Sequence, residues 1–219
     1  MLTNVSIFKR LMISLSIISN SIVLSQDSLE NAQIDLTESE RDLLSQGEII
    51  VRDAFTNNDE GKTIEAIGLI NANIDAVYSV LLGFEDYPDF MPNITQLEIL
   101  EKGSNHAILN YTLELPMKKI KKYRLDMFYQ KNKNSAQLTW KMIEWPGLKE
   151  SETINNTTGY WLINNYLEKK GHILVLYHVY TDPGPIPLGL GWIVDILTHN
   201  SAPTIVINTR ERVYSKSNR

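Results

Sequence analysis

Four histidines, His106, His172, His178 and His199, are the side chains of this 219-residue chain best suited to acid–base or metal chemistry. A histidine can exchange a proton near neutral pH or bind a metal ion through a ring nitrogen. His172 and His178 lie on one predicted strand, roughly 20 Å apart at about 3.3 Å per residue, so they cannot share an ion. The sequence therefore predicts no metal site. His178 lies between apolar neighbours and is predicted to be either an acid–base group in a pocket or a buried, hydrogen-bonded histidine.

Three carboxylates, Glu144, Glu150 and Glu152, flank a turn that contains Trp145. They could act as general bases if one of them faced an interior cavity, or they are solvated loop residues. The sequence contains none of the G-x-S-x-G, Walker A, G-x-G-x-x-G and H-E-x-x-H signatures. It also contains no cysteine, which excludes thiol catalysis, thiolate metal sites and disulfides. These features favour a binding protein over an enzyme, and we assign no catalytic residue and no cofactor.

The charge of the chain argues against a nucleic-acid partner. Lysine and arginine number 21 and aspartate and glutamate 26, for a net charge of −5, and there is no long basic tract. The one basic cluster is the run Lys118–Lys122. It is either a solvated turn between two strands or a surface that makes transient contact with an anionic membrane, since each basic residue there contributes about 1 kcal/mol. The oligomeric state is left open.

The first 25 residues have the composition of a signal peptide. A basic pair, Lys9 and Arg10, precedes an apolar stretch from Leu11 to Ile18. An uncleaved membrane anchor is the alternative, although that stretch is shorter than the roughly 20 residues needed to cross a bilayer. We therefore expect export to the periplasm or the exterior, with cleavage near Ser25.

The remainder of the chain divides into three parts. Residues 26–46 are predicted to be a linker that ends in a short helix, because Thr37 and Glu40 have capping-box spacing. Residues 47–214 are predicted to form one folded domain, and residues 215–219 a tail.

The segment from Lys62 to Pro92 indicates how the domain begins. Residues 63–70 alternate with a period near two, which is typical of a strand. Apolar residues then recur at helical spacing at Ile74, Val77, Tyr78 and Leu81, which predicts a helix. Asn73, directly before them, can cap its N-terminus. The run 83–92 predicts a second short helix that ends before Pro92.

Most of the later chain alternates between apolar and polar residues. This alternation predicts an antiparallel meander that is apolar on one face, with strands near 105–115, 122–130, 136–142, 160–167 and 172–180. From Leu188 the spacing becomes helical, with a break near residue 200. The order of elements predicts an α+β fold, in which two short helices follow an early strand and a curved antiparallel sheet wraps around a long C-terminal helix.

This order resembles the START-like (SRPBCC) superfamily, also called the polyketide cyclase or coenzyme Q-binding protein group, which has the helix-grip fold. The resemblance depends on Asn71–Val80, followed by Asp86-Tyr87-Pro88 and Met91-Pro92. Further support comes from Trp140, from Gly159-Tyr160-Trp161 and from the Pro-rich run 180–187. The resemblance implies a hydrophobic cavity between the sheet and the C-terminal helix that binds a lipid, sterol, quinone or polyketide.

We expect residues from four regions to surround this cavity. They are the candidate gate residues Phe84, Tyr87, Phe90 and Met91, the strand residues Tyr111, Tyr123, Leu125, Met127, Leu138, Trp140 and Tyr177, Trp145 in its turn, and Ile193 and Leu197 on the C-terminal helix. Whether the inward stripe encloses a pocket or a filled core is left open. Two alternatives to ligand binding remain, a cyclase or aromatase on the same fold and an interaction module that uses the Trp145 turn and the Pro-rich loop.

Overall fold

Eight antiparallel strands form one sheet in the computed structural model, which describes residues 34–54, 61–184 and 201–217. The strands are β1 Ile50–Ala54, β2 Lys62–Asn71, β3 Ile94–Lys102, β4 His106–Leu115, β5 Lys119–Lys131, β6 Ser135–Ile143, β7 Asn156–Asn165 and β8 His172–Asp182. The helices are α1 Glu38–Ser45, α2 Ile74–Leu81, α3 Tyr87–Phe90 and α4 Ser201–Ser217. The predicted α+β fold is confirmed.

The strand order is β1-β2-β8-β7-β6-β5-β4-β3, so β3 to β8 form a continuous meander. The prediction of this meander is confirmed, but β3 was not predicted. β3 is an edge strand whose pairing with β4 is irregular between Ile94 and Gln96 and between Ile99 and Glu101. Its apolar residues therefore do not keep a strict alternation. Because β2 and β3 lie near opposite edges, the segment with α2 and α3 crosses the face of the sheet.

Helices α2 and α3 are linked where they meet. The Asn73 side chain accepts a hydrogen bond from the Ala76 N–H at 2.8 Å, which caps α2 as predicted. After a short 3₁₀ turn, the Tyr87 hydroxyl of α3 donates a hydrogen bond to the Leu81 carbonyl oxygen at 2.6 Å. This bond satisfies one of the carbonyl groups that a helix leaves free at its C-terminal end.

Helices pack against both faces of the sheet. The concave face packs against α2, α3 and α4 in the main hydrophobic core. The outer face carries α1, whose Leu44 is buried in a smaller cluster with Ile50, Ile67, Leu69, Leu162, Leu174 and Leu176. The capping box of α1 at Thr37 and Glu40 is present as predicted.

Helix α4 lies close to β2 because Gly68 has no side chain. A Cβ atom at Gly68 would come within 2.8 Å of a Val206 methyl carbon and 2.7 Å of an Ile49 methyl carbon. The helix continues to Ser217, into the segment predicted as a tail. The predicted helical stripe that contains Ile193 and Leu197, the break near residue 200 and the loop after Gly184 lie outside the described residues. Within the described ranges, no helix is both long and apolar enough to cross a membrane.

Candidate ligand-binding cavity

A cavity of about 120 Å³ lies on the concave side of the sheet. It is located near the end of the sheet where β4 and β8 finish and β5 and β7 begin, and α4 contributes Ser201 and Ile205. The residues predicted to surround a ligand that do line this cavity are Tyr87, Met91, Tyr111, Tyr123, Leu125, Met127, Trp140 and Tyr177. The inward stripe therefore encloses a space as well as a core.

Four other predicted site residues are placed elsewhere. Phe84 and Leu138 have no exposed surface and belong to the packed core. Phe90 is half-buried beneath the Arg212 guanidinium, which lies 5.7 Å from the ring centre. Trp145 is half-buried in the loop after β6. None of these four is part of the cavity wall that the described residues form.

Several lining residues were not identified from the sequence. They are Pro92, Asn93, Ile94, Leu113, Lys121, Ile154, Thr157, Trp161, Val179, Thr181, Ser201 and Ile205. The pairing of the strands explains part of this set. Trp161 lies opposite Tyr177, and Thr157 lies opposite Thr181. Lys121 has the same parity on β5 as Tyr123, so extending that alternation by one step would have predicted it.

Aromatic rings form two sides of the cavity. The Tyr111 and Tyr123 rings stack with their centres 5.2 Å apart and their planes at 10°. On the other side, the Tyr177 ring stacks on Trp140 at 5.6 Å and tilts against Trp161 at 4.9 Å. Such rings provide a large apolar surface together with a polar atom at the edge.

Two tyrosine hydroxyls in the wall have no hydrogen-bond partner among the described residues, those of Tyr123 and Tyr177. The other two are used, because Tyr87 donates to the Leu81 carbonyl and Tyr111 makes a long contact of 3.8 Å with the Met127 sulfur. Burial raises the pKa of all four tyrosines well above the usual value, which keeps them neutral. Tyr123 and Tyr177 can therefore donate or accept a hydrogen bond inside the cavity.

Lys121 is the one charged side chain among the described residues of the wall. Its ammonium group donates a hydrogen bond to the Thr153 carbonyl oxygen. Burial lowers the pKa of Lys121, and the nearby charge of Lys119 lowers it further. No aspartate or glutamate is among the described lining residues.

His178 lies on the outer face of the sheet, away from the cavity. Its Nδ1 atom is 3.0 Å from a Glu65 carboxylate oxygen, and its ring stacks on Tyr160 with the centres 4.6 Å apart. This hydrogen bond lowers the pKa of Glu65, against the opposing effect of burial. Of the two predicted roles, His178 therefore has that of a partly buried, hydrogen-bonded histidine.

The predicted loop carboxylates are also outside the cavity. Glu144, Glu150 and Glu152 are exposed to solvent. Neither a histidine nor a carboxylate lines the cavity within the part of the chain that the structure describes. The histidine or glutamate that the cyclase alternative was expected to use is therefore not found among the described lining residues.

No protein-family model and no curated protein matches the sequence. Solved structures do resemble it. A STAR-related lipid transfer protein from Xanthomonas axonopodis is 16% identical with a TM-score of 0.62, over 76% of this chain and 93% of that one. Human StAR-related lipid transfer protein 5 is 12% identical with a TM-score of 0.61, over 78% of this chain and 84% of that one.

A third similar structure is the di-domain ARO/CYC protein StfQ from the steffimycin biosynthetic pathway. It is 12% identical with a TM-score of 0.55, over 72% of this chain and 52% of that one. This chain therefore spans about half of that two-domain protein. At these identities, the three similarities concern the fold.

Proposed function

Because this chain has the START-like helix-grip fold, we propose that it binds a hydrophobic small molecule or lipid in the cavity between the sheet and α4. The observation that carries this proposal is the cavity wall itself, which is aromatic and apolar with a few polar groups directed inward. Ligand sites in proteins commonly have this composition. Two proteins of similar structure are named as lipid transfer proteins, which supports the same class of ligand.

The size of the cavity limits what enters without rearrangement. A volume of about 120 Å³ is below the roughly 300–1,000 Å³ of common ligand sites. It is close to the roughly 150 Å³ that holds a benzene molecule in an engineered apolar cavity. A larger ligand therefore requires the wall to move. Met91 and Met127 suit this movement because methionine side chains adapt their shape to their surroundings.

Catalysis of the cyclase or aromatase type is the alternative, and the fold of StfQ is compatible with it. Its support is weaker because the described wall contains no histidine and no carboxylate. The interaction-module hypothesis also remains a prediction. Trp145 is half-buried, with the Arg124 guanidinium 5.4 Å from its ring centre, and therefore offers little surface to a partner.

Transient contact with an anionic membrane is part of the proposal, as is export of the protein. The β4–β5 turn lies at the same end of the sheet as the cavity. Met117 in that turn is 61% exposed and Ile120 is 42% exposed, and Lys118 and Lys119 lie between them in the sequence. An apolar tip within a basic cluster is suited to the surface of an anionic bilayer.

The binding proposal is tested on protein purified from its own host, by native mass spectrometry and identification of extracted small molecules. We expect a bound hydrophobic compound. A cavity-filling variant, Val179→Phe, should carry less of it, whereas Leu167→Phe, at a position that is 94% exposed, should carry as much as the wild type. The identified compound, added back at 100 times its Kd, should raise the free energy of unfolding of the wild type by about 2.7 kcal/mol. A ligand-free protein that no added amphiphile stabilises would contradict the proposal.

A further inference from the structure

The position of Lys121 separates it from the other lysines of its cluster. On β5, Lys121 shares a face with Tyr123, Leu125 and Met127, and all four line the cavity. Lys122 points to the opposite face of the strand, because successive side chains alternate. Lys121 thus brings a positive charge to a wall whose other described residues are apolar or uncharged and polar.

This charge has no anionic partner among the described residues. The Lys121 ammonium group contacts the Thr153 carbonyl oxygen, which uses one of its three donors. The neighbouring wall supplies hydroxyl groups, such as that of Tyr123, but no carboxylate. A partly buried charge without an opposite charge is costly, and most such charges in proteins are paired. The lowered pKa of Lys121 is a further sign of this cost.

An oxyanion would supply what Lys121 lacks. A carboxylate or phosphate accepts two or more hydrogen bonds, and a charged pair of this kind is stronger than a neutral hydrogen bond. Tyr123, two residues further along the same face, has a hydroxyl that is free to donate as well. The aromatic surfaces of Trp140 and Tyr177 then remain for an apolar group.

We propose that Lys121 binds the oxyanion head of an amphiphilic ligand whose apolar part occupies the cavity. The inference depends on the proposed function, and it narrows the ligand from any hydrophobic compound to an anionic amphiphile. The head is a carboxylate, as in a fatty acid, or a phosphate, as in a phospholipid. Both present the same chemistry to an ammonium group.

Three amphiphiles with an eight-carbon chain test the inference by titration calorimetry at pH 7.5. They are octanoate, octyl phosphate and 1-octanol. The protein variants are Lys121→Met, which keeps the length but removes the charge, and Lys121→Arg, which keeps the charge. Lys122→Met is the matched control, because it removes one charge from the other face of the same strand. Thermal unfolding of each variant shows whether it remains folded.

We expect at least one anionic probe to bind the wild type about tenfold or more tightly than 1-octanol, and Lys121→Met to remove that preference. Lys121→Arg should retain most of it, and Lys122→Met should leave it unchanged. The probe that shows the preference identifies the head as carboxylate or phosphate.

Two results would overturn this inference and leave the proposed function standing: equal binding of all three probes, or a preference for the anionic probes that survives Lys121→Met. Failure of every probe to bind the wild type would count against both the inference and the proposed function. If Lys121→Met does not fold, loss of the preference in Lys121→Gln decides the matter.

Discussion

At the scale of single residues, one side of the cavity depends on a position that has no side chain. Gly159 lies on β7 directly opposite Trp140 on β6. A Cβ atom at Gly159 would overlap both the Trp140 ring and the backbone carbonyl oxygen of His178. The absence of that atom leaves room for the Trp140 ring beside Gly159, where Tyr177 stacks on it.

We expect Gly159→Ala to destabilise the protein by about 1–3 kcal/mol, as is typical of overpacking in a well-packed interior. The backbone carbonyl cannot move aside as a flexible side chain would, and Trp140 would have to leave its place in the wall. Urea unfolding, monitored by tryptophan fluorescence, measures the loss of stability, and the fluorescence of the folded protein reports the displacement of Trp140. Gly103→Ala is the control, because the new Cβ atom there meets only an ordinary contact at 3.6 Å. Equal stability of the two variants would show that the fit between Gly159 and Trp140 does not matter.

At the scale of elements, α1 is attached to the outer face by Arg52 of β1. The Arg52 guanidinium makes two hydrogen bonds of 2.8 Å to the Glu40 carboxylate and one of 2.7 Å to the Asp35 carbonyl oxygen. It also lies 3.7 Å from Glu65, which in turn contacts His178. The hydrogen bonds from Arg52 are the main reason why the pKa of Glu40 is lowered to about 2.

This lowered pKa predicts how the attachment of α1 responds to acid. The Arg52–Glu40 ion pair contributes its full stability above the ordinary glutamate pKa of about 4.5. This contribution is lost as the pH falls towards about 2, where Glu40 becomes protonated in the folded state. The contribution should be less than about 1 kcal/mol, because the ion pair is partly exposed and screened by solvent. We expect Glu40→Gln to lower the free energy of unfolding at pH 6 but not at pH 2.

Urea titrations of the wild type and the variant at several pH values between 6 and 2 measure this difference. The matched control is Glu38→Gln, because Glu38 lies in the same first turn of α1 and is exposed. A difference between wild type and Glu40→Gln that stays constant down to pH 2 would argue against this role of the ion pair.

The sequence predicted elements and faces better than it predicted the cavity. Strict alternation predicted that Tyr111, Tyr123 and Leu125 face inward, because a strand with one wet face must alternate. It did not reveal β3, because an irregular edge strand loses the period of two. Nor did it separate Phe84 in the core from Tyr87 at the cavity. That distinction depends on how far apart α3 and the sheet lie, and no local pattern encodes this distance.

At the scale of the whole molecule, charge is unevenly distributed. The chain carries a net charge of −5, yet the turn beside the cavity is basic and exposes Met117. A second exposed apolar side chain, Leu167, lies at the opposite end of the sheet, near two lysines and near Glu168. The two ends thus provide an internal comparison for membrane contact.

We expect the protein to bind vesicles that contain anionic lipid, and to bind less as salt is added, because charge attraction is screened over about 10 Å at 0.1 M salt. Met117→Asp should weaken this binding by about tenfold, since it removes an apolar contact and opposes the lipid charge. Leu167→Asp makes the same change at the distant end and should have little effect. Vesicle sedimentation measures both variants, and an equal loss in the two would show that the cavity end does not face the bilayer.

The pairing of β2 with β8 also has a consequence for how the molecule folds. Lys62 pairs with Thr181, so the β1–β2 pair can join the rest of the sheet only after almost the entire meander has been synthesised. The hairpins from β3 to β8 join neighbouring parts of the chain and can form first, whereas contacts between distant parts form slowly. Closure between β2 and β8 is therefore expected to be a late event in folding. A nascent chain that stops short of β8 can pair β2 only with β1 and lacks Tyr177, Val179 and Thr181 of the cavity wall, so it becomes able to bind a ligand only after β8 has been synthesised.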